Sequence, residues 1–168
     1  MAGPRATKGD AEAVLEAFGG GGWAILRHSK VFEGAPSQGL PDSRVAIRPF
    51  TDWNGRHFCE LDWHVILIAD IEPVDETFTA RDARAAIENL TVEFTLDGAP
   101  LPVTRTATKR FLNPEHFQVE EAFYAQWGRI MPPTELGSGQ HVLSAVFGDQ
   151  TLPEIVFFVD PAGTGTCQ

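Results

Sequence analysis

The chain has only two cysteines in 168 residues, Cys59 and Cys167, and no Cys-x-x-Cys. A four-cysteine zinc site is therefore excluded. No apolar run approaches the ~20 residues that a membrane-spanning helix needs. The longest, Val65 to Ala69, is strand-sized. Basic residues are scarce: 13 Lys and Arg stand against 23 Asp and Glu, a net charge of −10. No basic cluster is longer than Lys109-Arg110. A chain this acidic repels phosphate backbones and anionic lipid surfaces, so neither nucleic acid nor membrane is an expected partner. Ser29 and Ser144 lack the Gly-x-Ser-x-Gly setting of a hydrolase elbow. Residues 19–22, four glycines, lack the Lys-Ser/Thr that follows a phosphate loop and read as a hinge. The start, MAGPRATKGD, has no apolar segment and does not read as a secretory signal, although a mature protein whose signal has been removed would begin this way too.

What is present suits a single globular domain. The apolar share is 43% and the aromatic share 10%, above the range of disordered chains. Residues 1–22 read as an N-terminal extension with a short helix, capped by Asp10 and carrying Ala13, Val14, Ala17 and Phe18 on one side. Residues 23–161 read as the body and 162–168 as a tail. Strands are expected over WAILRHSKVF and RVAIRPFT, with Pro49 pushing the second toward a sheet edge. Asn54-Gly55 and Asp97-Gly98 are turn dipeptides between strand-like runs. A second helix is expected over ARDARAAIENL, opened by Thr79. AFYAQWGRI, HVLSAVF and PEIVFFV complete the strands. Seven or eight short strands with one or two short helices argue for an all-β fold, an antiparallel β-sandwich.

The densest chemistry lies in HFCELDWHVILIADIE, residues 57 to 72. Read as one strand, it alternates. His57, Cys59, Leu61, Trp63, Val65, Leu67, Ala69 and Ile71 form an apolar face that is expected to meet the core. Phe58, Glu60, Asp62, His64, Ile66, Ile68 and Asp70 form the other. Odd spacing sends His57 and His64 to opposite faces, so they cannot share a metal without a bulge. Glu60 and His64 are roughly 13 Å apart, but neighbours two apart are roughly 6.6 Å apart and can converge. The candidate catalytic or metal-ligating pair is therefore Asp62 and His64, as an oriented general base or as two ligands awaiting a third. Two ligands make no site, so a solvated strand end with one ion pair is the preferred reading. Trp53 and Glu60 are candidate binding residues at the same end, and Asp52 is expected to face His57 across the Asn54-Gly55 turn. No metal set and no cofactor motif are complete.

Cys59 and Cys167 either form one disulfide, which implies an oxidising compartment, or are two unrelated thiols. Thr104, Thr106 and Thr108 form a one-face stripe of the kind that is usually solvated surface. Trp23, Trp53, Trp63 and Trp127 would suit a carbohydrate platform but are more often packing residues.

PTELGSGQHVLSAVF, with Leu136, Gly139 and His141, resembles the approach to a late strand in bacterial immunoglobulin-like sandwiches. LTVEFTLDGAPL and PEIVFFVDP resemble companion strands, so the resemblance covers about residues 90 to 161. It implies an immunoglobulin-like fold and no chemistry. It also implies a structural role for His141, pinning the chain as it enters a strand. The cysteine and tryptophan arrangement of antibody domains is missing. The expected function is a non-enzymatic, exported binding or interaction module, secreted or in the cell envelope, for an unidentified protein or small-molecule ligand. The alternatives are a cytoplasmic location and an enzyme or metal-dependent binder that uses Asp62 and His64.

Overall fold

The computed structural model describes residues 5–16, 24–25, 46–47, 54–76, 78–112, 120–152 and 154–168. Its strands, in chain order, are β1 (Ala24–Ile25), β2 (Ala46–Ile47), β3 (Arg56–Cys59), β4 (His64–Pro73), β5 (Val92–Leu96), β6 (Ala99–Leu101), β7 (Thr104–Arg105), β8 (Lys109–Leu112), β9 (Glu121–Met131), β10 (Gly139–Phe147), β11 (Gln150–Thr151) and β12 (Ile155–Asp160). Two helices accompany them, α1 (Lys8–Glu16) and α2 (Ala80–Glu88).

The strands form two sheets. Sheet one runs β1-β4-β9-β7, with β2 also on β4 and β8 also on β9; sheet two runs β3-β12-β10-β5-β6, with β11 on β10. The chain is mainly β, as its patterning predicts. Most pairings are antiparallel, but β1 and β2 lie parallel to β4, and β3 lies parallel to β12. Aromatic and branched side chains from both sheets fill the space between them. Phe58, Phe94, Leu143, Phe147 and Phe157 come from sheet two; Ile66, Ile68, Ala125 and Trp127 come from sheet one. Phe157 meets Phe58 edge-on at 5.8 Å, and Phe147 meets Trp127 at 6.2 Å, the geometry that ring quadrupoles favour.

The turn dipeptides behave as their chemistry requires. Asp97 and Gly98 both adopt positive φ, 52° and 81°, and close the β5–β6 hairpin. Asn54-Gly55 also forms a turn. Of the strand expected before it, Ala46–Ile47 is described and is β2, parallel to β4 in the other sheet, while Asp52 and Trp53 lie outside the described residues; β3 leaves the turn to pair with β12, so no β2–β3 hairpin forms.

Both helices begin at threonine caps. Thr79 Oγ1 accepts the Asp82 N–H at 3.2 Å and opens α2, as expected. At α1 the cap is Thr7 rather than Asp10. Thr7 Oγ1 accepts from Asp10 N–H while Asp10 Oδ2 accepts from Thr7 N–H, at 3.1 and 2.8 Å. This reciprocal pair satisfies two amide donors that the helix start would otherwise orphan. α2 sends Ala83 and Ile87 into the sandwich core. α1 packs on β4 and β9 through a fully buried Ala11 that stands apart from that core. Thr79→Ala is expected to lower stability by about 1 kcal/mol, read as a shifted urea midpoint at unchanged slope. A shift within error would show that packing of Ala83 and Ile87 alone holds the helix.

Candidate functional site

The stretch from His57 to Glu72 is two strands in different sheets. β3 ends at Cys59 and β4 begins at His64. Between them the chain turns, with Asp62 N–H bonded to Cys59 O at 3.1 Å. This overturns the expected facing. Phe58, Ile66 and Ile68 point into the core, whereas Cys59 and Val65, assigned to the core by their apolar character, are buried outside it. Both faces of β4 are covered, so apolarity could not tell inside from outside.

Asp62 is no solvated strand end. It is 2% exposed. Its Oδ1 accepts the Ala6 N–H at 2.6 Å and its Oδ2 lies 3.6 Å from Arg5 Nη1. Trp63 N–H donates to Ala6 O at 3.2 Å, so residues 5–7 form an arm laid across the turn. His64, the other candidate, is 1% exposed. It sits edge-on to Phe58 at 5.9 Å and opposite Met131 in the register. Neither ring nitrogen has a hydrogen-bond partner. Burial drives its pKa from 6.5 down to about 4, against the weaker opposing pull of the Asp62 charge and the nearby Cys59 carbonyl. The neutral ring is therefore the folded form at neutral pH. Asp62 and His64 are brought close, Asp62 under the arm and His64 against Phe58 and Met131 of the core. Asp70 and Glu72, also fully buried on β4, are engaged with other groups of the chain.

Glu60 serves the other terminus. Its Oε1 accepts the Ala162 N–H at 2.9 Å, and its N–H donates to Asp160 O at 3.0 Å. Cys59 and Cys167 are bonded to each other, with Cα atoms 4.8 Å apart. The tail from Pro161 folds over β3 and closes in a short 3₁₀ turn, Gly165–Cys167. Asp160 is the hub. Its carboxylate accepts His57 Nδ1–H at 2.8 Å, and both the amide and the hydroxyl of Thr166 at 2.9 Å. Burial alone would raise the Asp160 pKa, but the bonds from His57 and Thr166 outweigh it and hold the carboxyl below its usual range. Gly165 has a φ of 48°, and a Cβ there would collide with this carboxylate, so only glycine fits. His57 stacks on Phe158 at 4.9 Å and is half-exposed. This Asp–His pair was not legible from sequence, because 103 residues separate its members.

His141 has the pinning role that the resemblance implies. Its Nδ1 lies 2.7 Å from Asp97 Oδ2 and its Nε2 lies 2.6 Å from Gly137 O. Both partners are acceptors, so the ring donates to both only when it carries two protons. Asp97 also takes the Val142 N–H, tying the β5–β6 turn to the start of β10. The threonine stripe is a splice rather than a free surface. Thr104 donates to Gly128 O, Thr106 accepts from Gln126 N–H, and Thr108 accepts from Arg105. Thr106 thus holds the strip between β7 and β8 onto β9, Thr104 adds a bond from β7 to β9, and Thr108 braces Arg105. Of the four tryptophans, Trp127 is core, with Arg105 stacked 5.3 Å from its ring centre. Trp63 is half-buried, and Trp23 and Trp53 lie outside the described residues.

Two open grooves of about 350 and 400 Å³ flank the crossing from β6 to β7 at Pro102 and Val103. Neither is lined by Asp62 or His64. Among the described residues no cluster of three His, Cys, Asp or Glu side chains is placed to hold a metal. No helix among them is long and apolar enough to cross a membrane. Neither the family models nor the curated proteins contain a match to this sequence.

Proposed function

We propose that the chain is a non-enzymatic, exported binding module of immunoglobulin-like type that meets its ligand on the outer face of sheet two. One observation carries this reading. Alternation along β10 and β12 turns Val142, Ser144, Val146, Val156 and Phe158 away from the core, and Val146 is 40% exposed. Thr95 continues that face on β5 through its hydroxyl contact with Ser144. The face is made of branched, hydroxyl and aromatic side chains, with exposed Glu93 opposite Val146 and His57 on Phe158; its apolar middle has the composition of an interface centre. The groove lined by Thr95, Pro100 and Val103 adjoins it.

The immunoglobulin-like reading is supported by strand order. The chain passes from β4 in one sheet to β5 in the other, returns for β7 to β9, and crosses again for β10 and β12. That is the Greek-key path of such domains. Export is supported by a disulfide spanning 108 positions, a bond that persists in oxidising compartments. An enzyme or metal-dependent binder built on Asp62 and His64 is disfavoured by their enclosure.

The test is retention of labelled protein on envelope and extracellular material from its natural host. Val146→Glu combined with Val156→Glu is expected to lower retention at least fivefold at unchanged melting temperature. Equal retention would remove this face as the binding surface. A turnover lost in both Asp62→Ala and His64→Ala would overturn the non-enzymatic reading.

A further inference from the structure

Sheet one has an open side. β7 and β8 both pair with β9, and among the described residues no strand lies beyond them. In an antiparallel pair the amide and carbonyl of one residue point to the same neighbour, and successive residues alternate. Val74 N–H, just past the end of β4, donates to Glu121 O, and Thr106 N–H donates to Gln126 O from the other side. Odd residues of β9 therefore turn their backbone to β4, and even residues turn theirs to β7 and β8. Within β8, Lys109 stands opposite Tyr124 and Phe111 opposite Ala122, so these two are bonded to β9. Arg110 and Leu112 stand opposite Phe123 and Glu121, so their N–H and C=O groups point away from the sheet.

The side chains along this edge are exposed as well. Leu112 is 62% exposed, more than Leu61 or Val146. Residues 104–112 carry Arg105, Lys109 and Arg110 and no Asp or Glu, in a chain whose net charge is −10. Glu121 pairs with Arg110 at 2.7 Å. Arg105 bonds to Ile87 O, Thr106 O and Thr108 and keeps its charge. Lys109 is exposed.

We infer that the outer edge of β8 accepts an extended acidic segment of a partner protein as an added strand. Arg110 and Leu112 offer backbone donors and acceptors, and Leu112 adds an apolar contact. Arg105, Lys109 and Arg110 supply the charge that an acidic strand complements. A second copy of this chain is the wrong occupant, because β8 against β8 sets Lys109 and Arg110 against their own likes. The edge lies in the other sheet from the proposed ligand face, and its test is independent of that reading.

The probe is a labelled, end-blocked hexapeptide of alternating glutamate and valine, followed by fluorescence anisotropy and by amide exchange of the complex. In the free protein the amides of Lys109 and Phe111 are expected to exchange slowly and those of Arg110 and Leu112 fast. Peptide binding is expected to slow Arg110 and Leu112 at least tenfold. A fully N-methylated peptide and a lysine–valine peptide are expected to bind at least tenfold more weakly. Leu112→Pro removes an outward N–H without touching the bonds to β9, and Lys109→Glu reverses one charge. Each is expected to weaken binding at least fivefold at unchanged melting temperature. Absence of binding, or equal binding of the lysine or N-methylated peptide, would overturn the inference, as would equal binding by both variants. Protection of Arg110 and Leu112 that rises with protein concentration in the absence of peptide would assign the edge to a second copy and overturn it too.

Discussion

Replacing both Cys59 and Cys167 by serine is expected to lower the unfolding free energy by about 4 kcal/mol. The reason lies in the unfolded state. The bond closes a loop of 108 residues, and chain entropy alone gives about 4.7 kcal/mol for a loop near this size, an upper figure when the denatured chain is compact. Urea unfolding of wild type and variant measures it. A loss under about 1 kcal/mol would mean that the bond adds nothing beyond the Asp160 and Glu60 contacts that already seat the tail. Thiol titration of the unfolded, unreduced wild type is expected to find no free thiol, and two per chain would refute the bond outright.

His64 makes stability depend on pH in a window where few groups titrate. The folded ring has its pKa at about 4, against 6.5 for the free side chain. Between those values the unfolded chain binds the proton that the folded chain refuses. Stability is therefore complete above pH 6.5, falls as pH drops from 6.5 to 4, and levels off below. The total fall from this group is about 3 kcal/mol. His64→Leu fills the same apolar space without a titrating group. The difference between wild type and variant, measured by urea unfolding at pH 7.5 and 4.5, isolates the histidine from the carboxylates. Parallel stability profiles for the two proteins would show that His64 is hydrated or paired in solution.

Local chemistry was legible where cause and effect lie close in sequence. Thr79 precedes its helix, Asp97-Gly98 needs only its own dihedrals, and HVLSAVF and PEIVFFV alternate because each faces the core on one side. The turn at 60–62 was not legible, because the residues that stabilise it are remote. Asp62 is bonded to Ala6, and Glu60 to Ala162. No Gly or Pro marks the break, so alternation read through it inverts the facing of Phe58 and Cys59. Asp62 and His64, expected at a solvated strand end, are buried instead, Asp62 under the arm and His64 against Phe58. The cap of α1 is Thr7, three residues before the expected Asp10, because the two side chains bond each other's amides.

The β6 strand at the margin of sheet two has a consequence for how the protein behaves when concentrated. It is three residues long, its middle residue is Pro100, and Pro102 follows immediately. Proline has no amide hydrogen, so a neighbouring chain seeking to extend the sheet finds neither length nor donors on that side. Growth of stacked fibrils from this margin is blocked at the first rung. On the β6 side, the valine-rich outer face of sheet two can therefore meet another surface without the strands being drawn into a continuous ladder.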